Sequence, residues 1–169
     1  MFNFLRRLAT PELHQQLSIR ERAIQLFSDI EGLDDIKEMM LRAVESPDRA
    51  HTLLIGPPAS AKSLFMLEIE RIMSSKRVYF AEGASTTKAG IQKFIAENQH
   101  KEIIIIDEID KMAMKDQEVL LTMMERGEFT STKVRNTKTV KANMVIFATS
   151  NSTERLSKPL LSRFTVLLP

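Results

Sequence analysis

Cysteine is absent from the 169-residue chain. That removes disulfides, thiolate zinc centres and cysteine nucleophiles from consideration, and it fits a cytoplasmic protein. The histidines His14, His51 and His100 lack metal-ligand spacing, so each is expected to be a surface or satisfied residue. No apolar stretch approaches the ~20 residues that cross a bilayer, so no membrane partner is expected. The first residues, Met1 to Pro11, carry Arg6 and Arg7 after their apolar positions and have no long apolar core. They do not read as a secretory signal, and a short docking helix is the expectation there. A large charge imbalance is missing too. The net charge is only +2, so a case for nucleic acid must rest on local clustering.

What is present is a soluble globular composition, 43% hydrophobic and 27% charged, at the length of one ordinary domain. Ser18 and Glu21 have capping-box spacing and open a helix expected to run through Ile24, Phe27 and Ile30 to Gly32. Asp34 is placed to cap a second helix, Asp35 to Glu45. Apolar runs at His51–Ile55, Arg77–Ala81, Ile103–Ile106 and Met144–Thr149 read as buried strands. They alternate with helical segments at Lys62–Met73, Thr86–Asn98 and Lys115–Arg126, the last closed by Gly127. A short helical turn at Pro159–Ser162 and a strand at Phe164–Leu168 follow. Strands apolar on both faces, alternating with helices, imply a parallel sheet covered by helices. The β-branched stretch Glu128 to Lys141 breaks this rhythm and reads as a β-hairpin.

Two motifs carry chemistry. The first is Gly56-Pro57-Pro58-Ala59-Ser60-Ala61-Lys62-Ser63, with Leu64 after it, between a strand and a helix. That is the context a phosphate-binding loop requires: its amides and the helix N-terminus can surround phosphate oxygens. Lys62 would then reach the β and γ phosphates, and Ser63 would bind Mg²⁺. Ala59 and Ala61 stand where such loops carry glycine. If either needs a positive φ, alanine costs about 1–2 kcal/mol there. The alternative is an ordinary strand-turn-helix with a chance Lys-Ser.

The second motif is Ile103-Ile-Ile-Ile-Asp107-Glu108. A buried strand ending in two acids places carboxylates at the sheet edge where open α/β sheets bind ligands. Asp107 would hold Mg²⁺ through water and Glu108 would polarise an attacking water, the division of labour phosphoryl transfer needs. Solvated acids at a strand end are the alternative.

With these two motifs in order, further segments acquire meaning. Asp107-Glu-Ile-Asp-Lys111 is similar to the Walker B box of AAA+ ATPases. The segment Ile30 to Lys37, with Ile30 and Gly32, resembles the stretch beside the adenine in that family. Ala148-Thr-Ser-Asn151 resembles sensor 1, and Leu160-Leu-Ser-Arg163-Phe164 resembles the arginine-finger region. The Ala-Lys-Ser loop and the Ser-Arg-Phe finger resemble those of minichromosome-maintenance helicases. The order of elements is similar to the RuvB branch-migration motor and to MoxR-type chaperone ATPases. The resemblance spans roughly Ile30 to Pro169.

It implies a three-layer αβα P-loop fold with a mostly parallel sheet and a β-hairpin before sensor 1. Residues 1–29 would be an N-terminal helical segment and 30–169 the ATPase base domain, with the family's helical lid not in this chain. It also implies ATP and Mg²⁺, with Asn151 at the γ-phosphate or attacking water and Arg163 acting on a neighbour's nucleotide in a ring, normally a hexamer. The function implied is ATP hydrolysis driving DNA remodelling. The rivals are a MoxR-like protein-remodelling ATPase, a slow nucleotide-dependent switch and a P-loop kinase. The hairpin's cations, among them Lys133, Arg135 and Lys138, outnumber its one acid, Glu128. They either contact nucleic acid or blunt an exposed β edge.

Overall fold

Ile103 to Ile106 set the architecture. They are the first four residues of a strand whose successive side chains point to opposite faces, and all four are buried. Each such burial stabilises the fold by about 1.5–3 kcal/mol. Both faces must therefore be covered, and they are. The computed structural model describes residues 17–74, 76–133 and 136–169, with side-chain placement described outside 129–138. In chain order the elements are α1 (Ile19–Leu26), α2 (Asp34–Glu45), β1 (Thr52–Ile55), α3 (Lys62–Met73), β2 (Val78–Glu82), α4 (Lys88–Glu97), β3 (Ile103–Asp107), α5 (Met114–Arg126), β4 (Glu128–Lys133), β5 (Asn136–Lys141), β6 (Val145–Ser150), α6 (Lys158–Leu161) and β7 (Thr165–Leu167).

Five strands make one sheet in the order β2-β3-β6-β1-β7, and all its pairings are parallel. Ile104 and Ile106 face a cluster with Ile91 and Ile95 of α4, Leu120 and Met123 of α5 and Leu160 of α6. Ile103 and Ile105 face the other side, against Met40 and Leu41 of α2 and Phe65, Met66 and Ile69 of α3. This is the three-layer αβα arrangement expected from the sequence. β4 and β5 pair antiparallel as a separate hairpin directly before β6.

The local rules hold with small shifts. Ser18 and Glu21 make the capping box. Helix α1 stops at Leu26, earlier than its periodicity suggests, because Phe27 turns out of helical geometry and is buried in the core. Gly32, at φ +66°, ends the connecting turn rather than the helix. Asp34 is the first residue of α2 rather than its cap, and the cap position is Leu33 in the left-handed region. Two charged clamps join helices. Arg22 of α1 grips Glu45 of α2 with two bonds of 2.5 and 2.8 Å. Arg71 of α3 donates to the Leu26 carbonyl at 2.8 Å while pairing with the buried Glu68.

Candidate functional site

The strand order decides where the site lies. β6 runs between β1 and β3. The register pairs Ile55 with Ser150 and Ile106 with Ala148, so the C-terminal ends of the three strands emerge at one edge. The loop after β1, the acids at the end of β3 and Asn151 after β6 are thereby gathered at that edge. The amide of Gly56 donates to the Ser150 carbonyl at 3.2 Å, tying the start of the loop to the end of β6.

From Gly56 the loop turns into α3. Ala59 and Ala61 both have positive φ, 64° and 61°, so the condition stated for them from the sequence is met. Helix α3 has no side-chain cap at its N-terminus. The amides of its first turn have no carbonyl partner within the helix, which makes this end a place for an anion. Lys62 is buried and curls back over the loop. Its ammonium donates to the carbonyls of Gly56 and Pro57 at 2.7 and 2.6 Å, and its distance to Ser60 Oγ is 3.2 Å. Those three oxygens satisfy its charge. Leu64 is on the exposed side of α3, with the neighbouring Leu67 also exposed.

Opposite the loop stand the acids. The hydroxyl of Ser63 donates to the Asp107 carboxylate, with 3.1 Å to each oxygen. A hydroxyl and one carboxylate are hard oxygen donors, few in number and open to solvent. Among the described residues no cluster of three or more metal-ligating side chains exists. Such a donor set fits Mg²⁺, which takes one or two carboxylates and completes its shell with water and substrate phosphates.

Glu108 is in the left-handed region at φ 54° and ψ 52°. Its carboxylate pairs with Lys111 at 2.6 Å. The Lys111 ammonium, followed by the Asn151 amide and the charge of Lys62, holds the Glu108 carboxyl below the usual carboxylate range. Glu108 is thus ionised at neutral pH and linked to Lys111, Asn151 and Lys62 at once.

The remaining predicted residues are spread out. Gly32 lines a hollow of about 450 Å³ with Arg20, Leu33, Asp34, Asp35, Ile36 and Leu168. Ile30 does not line it and is buried in the core. Arg163 is paired with Glu125 at 2.5 Å, on a partly exposed surface. The side chains of Lys133 and Lys138, and the whole of Arg135, lie outside the described residues.

Three residues of the site carry no role in the sequence reading. Lys111 is one. Thr149 is another: it bonds both Asp107 and the Glu108 amide. The third is Gly83, directly after β2. A Cβ there would stand 2.1 Å from the Glu108 carbonyl oxygen. A glycine closing a strand next to the acidic strand was the available signal for it.

Comparison with known proteins adds a family. The model of the ATPase family associated with various cellular activities (AAA) matches residues 52–169, from β1 to the last residue. The chain belongs to this family. The AAA chain is also similar to a maternal DNA replication licensing factor, mcm6, of Xenopus tropicalis, with 28% identity over 179 residues, 82% of this chain and 22% of that one. It is similar to the Holliday junction branch migration complex subunit RuvB of Fusobacterium nucleatum subsp. nucleatum, 27% identical over 92% of this chain and 49% of the relative. DNA replication licensing factor mcm2 of Schizosaccharomyces pombe is 26% identical over 69% of this chain and 17% of its own length. The chain spans about half or less of the length of these relatives. Membership supports ATP binding and hydrolysis at the family level, with both core motifs inside the matched region.

Proposed function

We propose that this AAA chain is the ATP-hydrolysing part of a ring-forming, cytoplasmic motor that remodels DNA. The observation that carries the ATPase reading is the meeting of Lys62, Ser63, Asp107, Glu108 and Asn151 at one sheet edge. Lys62 exchanges its loop carbonyls for the β and γ phosphates, gaining charge-assisted bonds in place of neutral ones. Residues 56–64 wrap the phosphates with backbone amides, while Gly32 and its neighbours border the base. Ser63 and Asp107 would hold Mg²⁺, which would supply charge neutralisation. Glu108 orients and polarises the attacking water, and Asn151 fixes Glu108 and the γ-phosphate relative to each other. Arg163, which sits on an exposed surface, serves the nucleotide of an adjoining subunit, as arginine fingers do. Residues 30–169 act as the base domain, preceded by residues 1–29, which include helix α1, while the docking helix expected from Met1 to Pro11 lies outside the described residues.

The DNA half of the reading is supported by the names of the relatives, two replication licensing factors and a Holliday junction subunit. The hairpin directly before β6 supports it by position and by its cations. A slow nucleotide-dependent switch is the second reading. It is favoured by the two left-handed alanines and by the Lys111 clasp on Glu108.

Phosphate release with and without DNA separates these readings. Lys62→Ala should abolish ATP binding or turnover, and unchanged kinetics in that variant would refute the phosphate-loop role. DNA affinity should fall with salt, with a log–log slope of about −0.9 per phosphate contact on duplex. Replacing Lys133, Arg135 and Lys138 with alanine should flatten that slope and leave basal ATPase intact. Equal binding by both proteins, or none by the wild type, would move protein remodelling ahead of DNA.

A further inference from the structure

Thr149 lies in the middle of the site, yet its side chain is 1% exposed and would not itself meet a bound nucleotide. Its hydroxyl has two partners on two successive residues. It donates to Asp107 Oδ1. It accepts the backbone N–H of Glu108 at 2.8 Å. A hydroxyl has one proton to give, so the donor is committed to the carboxylate while a lone pair takes the amide.

We infer that Thr149 is a positioning residue that sets Asp107 and Glu108 relative to each other and to Asn151, two residues further on. This rests on the roles proposed above for the two acids. The need for such a residue follows from the backbone. Glu108 holds a left-handed conformation, in which the Cβ of a non-glycine residue crowds the following carbonyl. Contacts around it must keep it there. Its carbonyl accepts the Lys111 amide at 2.9 Å. Gly83 leaves just enough room for that carbonyl. The Thr149 hydroxyl holds the N–H side, and of these three contacts it is the one that also reaches Asp107. Asp107 in turn meets Ser63 through both oxygens. One hydroxyl on β6 therefore fixes which way the metal-side carboxylate faces and where the water-side carboxylate begins.

Thr149→Val keeps the shape and deletes both bonds. The Glu108 N–H then loses its partner, and the Asp107 carboxylate loses a donor. Leaving such groups unmatched is worth about tenfold or more in an equilibrium constant. A threonine that merely satisfied its own strand would alter stability and nothing else.

The test has two readouts on purified protein. In the ligand-free form, the Glu108 amide should exchange with solvent at least about tenfold faster in Thr149→Val than in the wild type, and Thr149→Ser should restore slow exchange. The second readout is the affinity for a fluorescent ATP analogue with and without Mg²⁺. Thr149→Val should lose most of the Mg²⁺-dependent gain and bind the metal-free analogue as the wild type does, with Ser again restoring the gain. Unchanged exchange at Glu108, or an unchanged Mg²⁺ gain, overturns the inference. So does an equal loss of affinity with and without Mg²⁺, which is the mark of general destabilisation. If Thr149→Val does not fold, Thr149→Ala carries the same comparison against Ser. A wild type that shows no Mg²⁺-dependent gain would remove the proposed metal role of Asp107, while the exchange contrast would still decide whether Thr149 holds Glu108.

Discussion

Replacing Ala59 and Ala61 with glycine should stabilise the chain, against the usual effect of adding glycine. Both alanines sit at positive φ, 64° and 61°. Each loses about 1–2 kcal/mol there through the close approach of Cβ to the following carbonyl. Glycine removes that strain but gives the unfolded chain more freedom, which offsets about 0.5–1 kcal/mol. The balance is about 0.5–1 kcal/mol of added stability per site, or about 1–2 for the pair. For a domain of this size the pair should raise Tm by roughly 3–6 °C. The control is Ala23→Gly in the middle of α1, where the same exchange should destabilise by about 1 kcal/mol or more. Urea titrations of wild type, both single variants, the double variant and the control decide the matter, provided the slope m stays constant. A double variant less stable than wild type would refute the strain argument and the loop geometry with it.

Glu108→Gln should keep nucleotide affinity and stop turnover, since the amide matches the carboxylate in shape but cannot hold or deprotonate water; hydrolysis at the wild-type rate would remove Glu108 from that role. Gly83→Ala should act on the same residue from outside the motifs: the added Cβ would fall 2.1 Å from the Glu108 carbonyl oxygen, so turnover should drop at least tenfold while analogue affinity changes little, and a fully active variant would show that β2 does not buttress Glu108. The buried His51 accepts the Ile146 amide at Nδ1, and desolvation, then the charge of Arg49, pushes its pKa down to about 4 from 6.5. The unfolded chain therefore binds the extra proton first, and the contribution of the neutral ring is whole above pH 6.5 and lost as pH falls towards 4. About 2 kcal/mol should go between pH 8 and pH 5; parallel stability–pH curves for wild type and His51→Gln would refute this.

Much of the fold could be read from local pattern, because most elements are locally consistent. The α3 boundaries, Lys62 to Met73, match the sequence expectation at both ends. So does the closing of α5 by Gly127 in left-handed geometry. The hairpin was legible from its β-branched run. Errors came where packing overrides propensity. Phe27 leaves the helix to fill the core beside Phe65, which shortens α1. Of the candidate site, the parts that recur as local strings were visible. The parts made by strand adjacency were not. Thr149 meets Glu108 across 41 positions of sequence. Nor was the contact visible between a helix and a turn, in which Glu125 of α5 meets Arg163 across 38 positions. Nothing in spacing or composition announces a hydroxyl that is both donor and acceptor between two strands.

The central place of β6 also limits how the hairpin and the acids can influence each other. All six of its residues are buried, and it is paired with β1 on one side and β3 on the other. Sliding it would break ladders on both sides, so it cannot act as a piston. Only Ala142, Asn143 and Met144 separate it from β5, and the Ala142 amide closes the hairpin base on the Gly127 carbonyl at 2.7 Å. Val140, Ala142 and Met144 are buried in the same cluster as Ile104, Ile106 and Ala148. Gly127 itself is hemmed in by Arg49 and Asn143, where a Cβ would stand 2.6 Å from Arg49 and 2.9 Å from Asn143. A force on the hairpin would thus reach the α5 C-terminus and the cluster beneath the sheet before it reached Thr149. Helix α5 also carries Glu125, the partner of Arg163. Two routes therefore lead out of the hairpin base, one through α5 to the Arg163 surface and one through the shared cluster to Ile104 and Ile106 of β3, next to the acids.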